Sequence, residues 1–122
     1  LIDHAANSNR RGVDGTPAPP EPPHWLLSLA EYQNCYLNLT SQNVDGVLEV
    51  TDATEEFFGP ILEKFGARRL MWGSDWPATA DQPYEDRLYQ AQKAFGFMTI
   101  VERQLVLGGT AGLIWPELET TI

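Results

Sequence analysis

Two residues in this sequence stand where a side chain can do chemistry: Asp75, at the end of the apolar run Leu70-Met71-Trp72, and His4, at the end of Leu1-Ile2. Leu70 to Trp72 predict a short buried strand, and Gly73 and Ser74 allow the sharp exit that leaves Asp75 at its mouth. Pro77 forbids continuation and pushes Trp76 toward an extended conformation. A carboxylate in that position can bind a metal or take a proton from an attacking water, or else merely cap its own turn. A neutral imidazole at His4 could ligate metal or hydrogen-bond a substrate carbonyl as charge develops on its oxygen, although a strand-end histidine can equally be structural. Strand alternation sends Asp3 to the face opposite His4, which predicts that Asp3 stays outside the site. His24, the other histidine, falls at a helix start and carries no expected role.

Further side chains could complete a binding surface. Arg10 and Arg11 follow His4 in a loop and could grip a substrate carboxylate through paired hydrogen bonds, or could simply be solvated. Trp76 could wall a pocket or pack in the core.

Positioning these groups requires strands that all end on one side. Asn7 to Pro23, rich in Gly, Asn and Pro, reads as a long semi-rigid loop after the first strand. A helix is expected from about His24 to Tyr32, then a strand from Cys35 to Thr40. Residues 42–51 read as a second loop, because Val44, Val47, Leu48 and Val50 are too scattered to assign. Asp52 and Glu55 have the spacing of an N-cap and its reciprocal partner, starting a helix whose apolar stripe includes Phe57, Ile61 and Phe65. Pro60 should kink that helix or restart it, and Gly66 should close it. After the strand Arg69 to Trp72 come a loop over 78–83 and a helix from about Tyr84 to Phe95. Thr99 and Glu102 predict a capped last helix ending at Gly108-Gly109. Strands alternating with helices indicate an α/β fold with a parallel sheet.

The stretch Gly73-Ser74-Asp75-Trp76-Pro77 resembles the end of the last barrel strand in the amidohydrolase-related family of metal-dependent hydrolases. Leu1-Ile2-Asp3-His4 is similar to that family's sixth strand with its Asp-His pair, and Cys35 to Ser41 to its seventh, where Lys-Leu-Ser is frequent. Glu102 to Ala111 resembles the closing helix and following turn. The resemblance implies that residues 1–122 form a partial barrel domain, the last three β/α units of a (β/α)₈ TIM-type barrel. A whole barrel takes about 250 residues, so the chain reads as the C-terminal part of a larger protein, with open strand edges prone to aggregation.

By the same resemblance the parent is a hydrolase that opens a lactone or similar cyclic ester. Asp75 would be metal ligand and general base, and His4, with a metal or residues outside the chain, would stabilise the oxyanion. The implied cofactor is a divalent metal such as zinc or manganese, absent in some relatives. A catalytic zinc site usually takes three protein ligands, whereas this chain offers His4 and Asp75, so it should be incompetent alone. A metal-dependent decarboxylase of the same family and a non-catalytic association module are the alternatives. Several acid-lactonase relatives place Gly then Arg soon after the Asp-His pair, while here Ala5 to Asn9 intervene before Arg10.

The resemblance implies a small-molecule substrate and leaves room for a homo-oligomer. Seventeen acidic against eight basic residues give a net charge of −9, and the basic residues cluster no further than Arg10-Arg11 and Arg68-Arg69, which argues against nucleic acid. No apolar run reaches the roughly 18 residues of a membrane span. Cys35, a lone cysteine, excludes an internal disulfide and suits a reducing, cytoplasmic setting.

Overall fold

A computed structural model describes the backbone of residues 1–121 and the side chains of 1–118. Two parallel strands, β1 (Leu37–Thr40) and β2 (Leu70–Gly73), pair in register from Leu37 with Leu70 to Thr40 with Gly73. On the other side of β1, Ile2 adds a single parallel bridge to Leu37, its N–H donating to the Tyr36 carbonyl at 2.8 Å and its own carbonyl accepting from Asn38 at 2.8 Å. The expected first strand is therefore reduced to one bridge. His4, Ala5, Ala6 and Asn7 have φ of +54, +46, +56 and +56°, so the chain leaves the sheet in a left-handed turn directly after Asp3.

Alternation divides the sheet by face. Leu37, Leu39 and Leu70 are fully buried against the helices, with Trp72 packed beside them, while Asn38, Thr40, Met71 and Gly73 lie on the other face. The helices are α1 (His24–Ser28), α2 (Ser41–Leu48), α3 (Glu55–Phe65), α4 (Tyr84–Ala94), α5 (Ile100–Gln104) and α6 (Thr110–Ile114). Phe58 is fully buried in the core, its ring edge-on to Phe57 at 5.3 Å and to Phe95 of the segment after α4 at 5.1 Å. Arg69 ties the opposite end of the sheet, donating to the carbonyls of Phe65, Tyr32 and Ala30 at 2.9 to 3.0 Å.

Several boundaries differ from the sequence expectation. The expected loop at 42–51 is largely α2, since Val44 and Val47 recur at helical spacing and are buried. Its N-terminus is capped by Thr40 with Asn43, a pairing in which Asn replaces the usual Glu or Gln. Asp52 is not the cap of α3; Thr54 precedes that helix, which runs continuously through Pro60. Gly59 lacks the Cβ that the proline ring would crowd. Gly66, at φ +77°, closes α3 as expected. The Thr99–Glu102 capping box forms, with bonds of 2.9 and 3.2 Å. The last helix does not stop at Gly108-Gly109; a wider turn over Leu105–Gly109 carries it into α6, where the Thr110 hydroxyl donates to the Ala67 carbonyl at 2.6 Å.

Gly46 lets the loop after His4 lie against α2. A Cβ there would stand 2.8 Å from Asn9 Nδ2 and 3.0 Å from the Asn9 carbonyl oxygen. In an open helix Gly→Ala gains about 1 kcal/mol. Gly46→Ala should instead lower the thermal midpoint, because the Asn9 backbone would have to retreat, and a raised midpoint would show that this contact is slack.

Candidate active site

Both chemistry-bearing residues sit beyond the C-terminal ends of the parallel strands. His4 follows the Ile2 bridge, and its Nδ1 lies 2.9 Å from the hydroxyl of Thr40, the last residue of β1. Asp75 follows β2 by two residues with φ +58°, a left-handed conformation that Asp adopts more readily than most residues. Its Oδ2 accepts a hydrogen bond of 3.0 Å from Nε2 of Gln42, in the first turn of α2. Gln42 thus joins Asp75 to a cleft of about 260 Å³ lined by His4, Arg10, Arg11, Gln42, Asn43 and Glu49 among others.

The turn carrying His4 is held by an amide network. Asn43 Oδ1 accepts from the Thr40 backbone N–H at 2.9 Å and faces the Thr40 hydroxyl at 3.2 Å. Its Nδ2 donates to the His4 carbonyl at 2.9 Å and to Asn9 Oδ1 at 2.7 Å, while Asn9 Nδ2 returns a bond to the Asn43 carbonyl at 2.8 Å. Asn43, Thr40 and Asn9 are all buried, so these bonds have little competition from water.

A second network holds the segment of Asp75. The Thr79 hydroxyl donates to the Ser74 carbonyl at 2.8 Å, and the Trp76 amide to the Ser74 hydroxyl at 3.1 Å. Arg87, buried on α4, donates from Nε to the Thr79 carbonyl at 3.3 Å and pairs with Asp81 and with Asp45 of α2, each at 2.7 Å. Burial works against its charge, but the hydrogen bonds and attraction of the two carboxylates prevail and raise its pKa above the ordinary value. The peptide bond between Trp76 and Pro77 is cis.

The remaining expected residues are placed as follows. Arg10 and Arg11 both line the cleft. Arg11 is engaged with Glu49 at 3.4 Å and with the Gly15 carbonyl at 3.3 Å, whereas the Arg10 guanidinium makes no hydrogen bond or ion pair among the described residues. Trp76 is 46% exposed and meets Tyr84 edge-on at 6.2 Å, so it lies at the surface beside Asp75 rather than in the core. Asp3 corrects the alternation argument. Its carboxylate accepts from Asn38 Nδ2 at 3.1 Å, on the same face of β1 as Thr40, because the left-handed turn at His4 breaks the alternation that would have separated the two residues.

Thr40, Gln42, Asn43 and Arg87 were not singled out from the sequence. The Thr40 to Asn43 spacing was the available signal for the first three. Among the described residues no group of three or more His, Cys, Asp or Glu side chains is gathered as a metal cage. His4 and Asp75 offer two donors of the types zinc accepts. Among the described residues no helix is long and apolar enough to cross a membrane.

The model of a family described as amidohydrolase matches residues 1–116. The chain belongs to this amidohydrolase family, a class of metal-dependent hydrolases. Its fold matches part of a TIM-barrel protein: a crystal structure of an amidohydrolase from Burkholderia multivorans with bound zinc superposes with a TM-score of 0.63 at 23% identity. The match covers 90% of this chain and 41% of that one, so this chain spans less than half the length of its structural relative. No curated protein matches.

Arg87→Lys should destabilise the protein by about 1–3 kcal/mol, because one ammonium cannot reproduce the planar fork shared between two carboxylates and a carbonyl. Hydrogen exchange should speed up in residues 79–82 first, and unchanged protection there would mean that Arg87 does not hold the segment.

Proposed function

We propose that this chain supplies the last three β/α units of an amidohydrolase barrel and that the whole protein opens a lactone or similar cyclic ester. The observation that supports the reading is that His4 and Asp75 each follow the C-terminal end of a parallel strand segment, Asp75 bonded to Gln42, which lines the same cleft as His4. In a barrel this is the face where reacting groups gather.

In the proposed reaction water attacks the ring carbonyl, and the Asp75 carboxylate takes the proton that leaves it. The ring C–O bond then breaks, and the proton passes to the departing alkoxide, giving a hydroxy acid. A divalent metal, when bound, would polarise the carbonyl and lower the pKa of the water; His4 and Asp75 are the donors this chain could contribute, the others coming from outside it. Gln42 orients the Asp75 carboxylate, and Arg10, whose guanidinium has no partner among the described residues, would meet a carboxylate on the substrate. Arg11, already paired with Glu49, is less available for that task.

Asp75→Asn in the full-length protein keeps the shape and removes the proton acceptor. Hydrolysis across a panel of sugar and dicarboxylate lactones should fall about 10²-fold or more in kcat, with KM changing less. Near-normal turnover on a lactone that the unmodified protein hydrolyses would return Asp75 to a turn-capping role. Release of carbon dioxide from a carboxylate substrate, with no lactone opened, would favour decarboxylation instead.

A further inference from the structure

We infer that Thr40 and Asn43 hold neutral His4 as its Nδ1–H tautomer, leaving Nε2 as a bare lone pair toward the reaction; this rests on the reading of His4 as a site residue. Two backbone groups fix the orientation of the Asn43 amide. The Thr40 amide can only donate, and it meets one end of the Asn43 side chain at 2.9 Å. The His4 carbonyl can only accept, and it meets the other end at 2.9 Å. The first end is therefore the oxygen and the second the nitrogen, since the reverse orientation would set two donors together and two acceptors together.

The rest follows by counting hydrogens. Asn43 Oδ1 carries none, so at 3.2 Å the Thr40 hydroxyl is the donor. That hydroxyl has a single hydrogen; given to Asn43 Oδ1, it leaves the oxygen to accept from His4 Nδ1, 2.9 Å away. In that arrangement Nδ1 carries the proton, and a neutral imidazole carries just one. Thr40 and Asn43 are each 2% exposed, which leaves water little room to substitute for either partner.

This assignment limits what His4 does. From Nε2 the neutral ring accepts: it can hold a cation or remove a proton. It cannot donate to a developing oxyanion until it has itself been protonated, so the oxyanion role expected from the sequence falls to other donors or to the metal. Thr40 and Asn43 are positioning residues that act through the ring, comparable to the outer hydrogen bonds that set ring orientation at metal sites.

The test is a long-range ¹H–¹⁵N NMR spectrum of the full-length, metal-free protein with labelled histidine, recorded about two units above the ordinary imidazole pKa of about 6.5. His4 is identified by the signals missing from His4→Gln. The expected result is a protonated-type Nδ1 and a bare-type Nε2, a pattern that Thr40→Ser keeps and Thr40→Val loses. A bare Nδ1 in the unmodified protein would overturn the inference, as would a Thr40→Val spectrum identical to the parent's. Adding zinc ion alone separates the two layers. A protonated Nδ1 with Nε2 unmoved by zinc would uphold the tautomer and remove His4 from the metal set.

Discussion

The side-chain amide of Asn43 is the interaction on which the site depends. It joins three backbone segments that sequence separates: the turn at His4, the loop at Asn9, and the junction of β1 with α2. The His4 turn needs such a hold. Four consecutive residues, His4 to Asn7, lie in left-handed backbone space, where a non-glycine residue costs about 1–2 kcal/mol. Leaving one buried polar partner of Asn43 unmatched would cost about 1–3 kcal/mol, so loss of this amide would weaken the hold on the turn. Gly46 belongs to the same arrangement, since any larger residue would push Asn9 off the helix.

On the other side of the cleft the constraint is ionic. Arg87 reaches from α4 to α2 through Asp45 and to the segment after β2 through Asp81 and Thr79. Asp45 and Gln42 share α2, so one short helix carries both the anchor of the Asp75 segment and the donor to the Asp75 carboxylate. Helix α2 thereby connects the two networks: Asn43 faces His4 and Gln42 faces Asp75. A shift of this helix would disturb both candidate groups together.

What could be read in the sequence was whatever local chemistry announces. The strand through Leu70 with its exit at Gly73, the Thr99–Glu102 cap and the closure at Gly66 all rest on short-range rules, and each element formed close to its expected place. Helix α2 was hidden because a mid-helix glycine and an Asn in place of the usual cap partner blur its signal, and both departures serve contacts with residue 9, far away in sequence. Asp3 was assigned to the wrong face for a related reason: alternation holds only while a strand continues, and the run of positive φ that ends this one is enforced by Asn43, thirty-nine residues from His4. Arg87 carries no local signal of its role, since its two carboxylates come from different elements. Long-range partners of polar side chains were what composition and spacing could not supply.

The claim that the Asn43 amide locks the His4 turn is tested most directly by a double-mutant cycle of Asn9→Ala and Asn43→Ala, read as unfolding free energy from chemical denaturation of the full-length protein. The two side chains exchange hydrogen bonds in a buried setting, so the account expects a coupling of about 1–3 kcal/mol. Effects that add to within about 0.3 kcal/mol would contradict it, because the two amides would then be acting independently and the turn would owe its shape to something else.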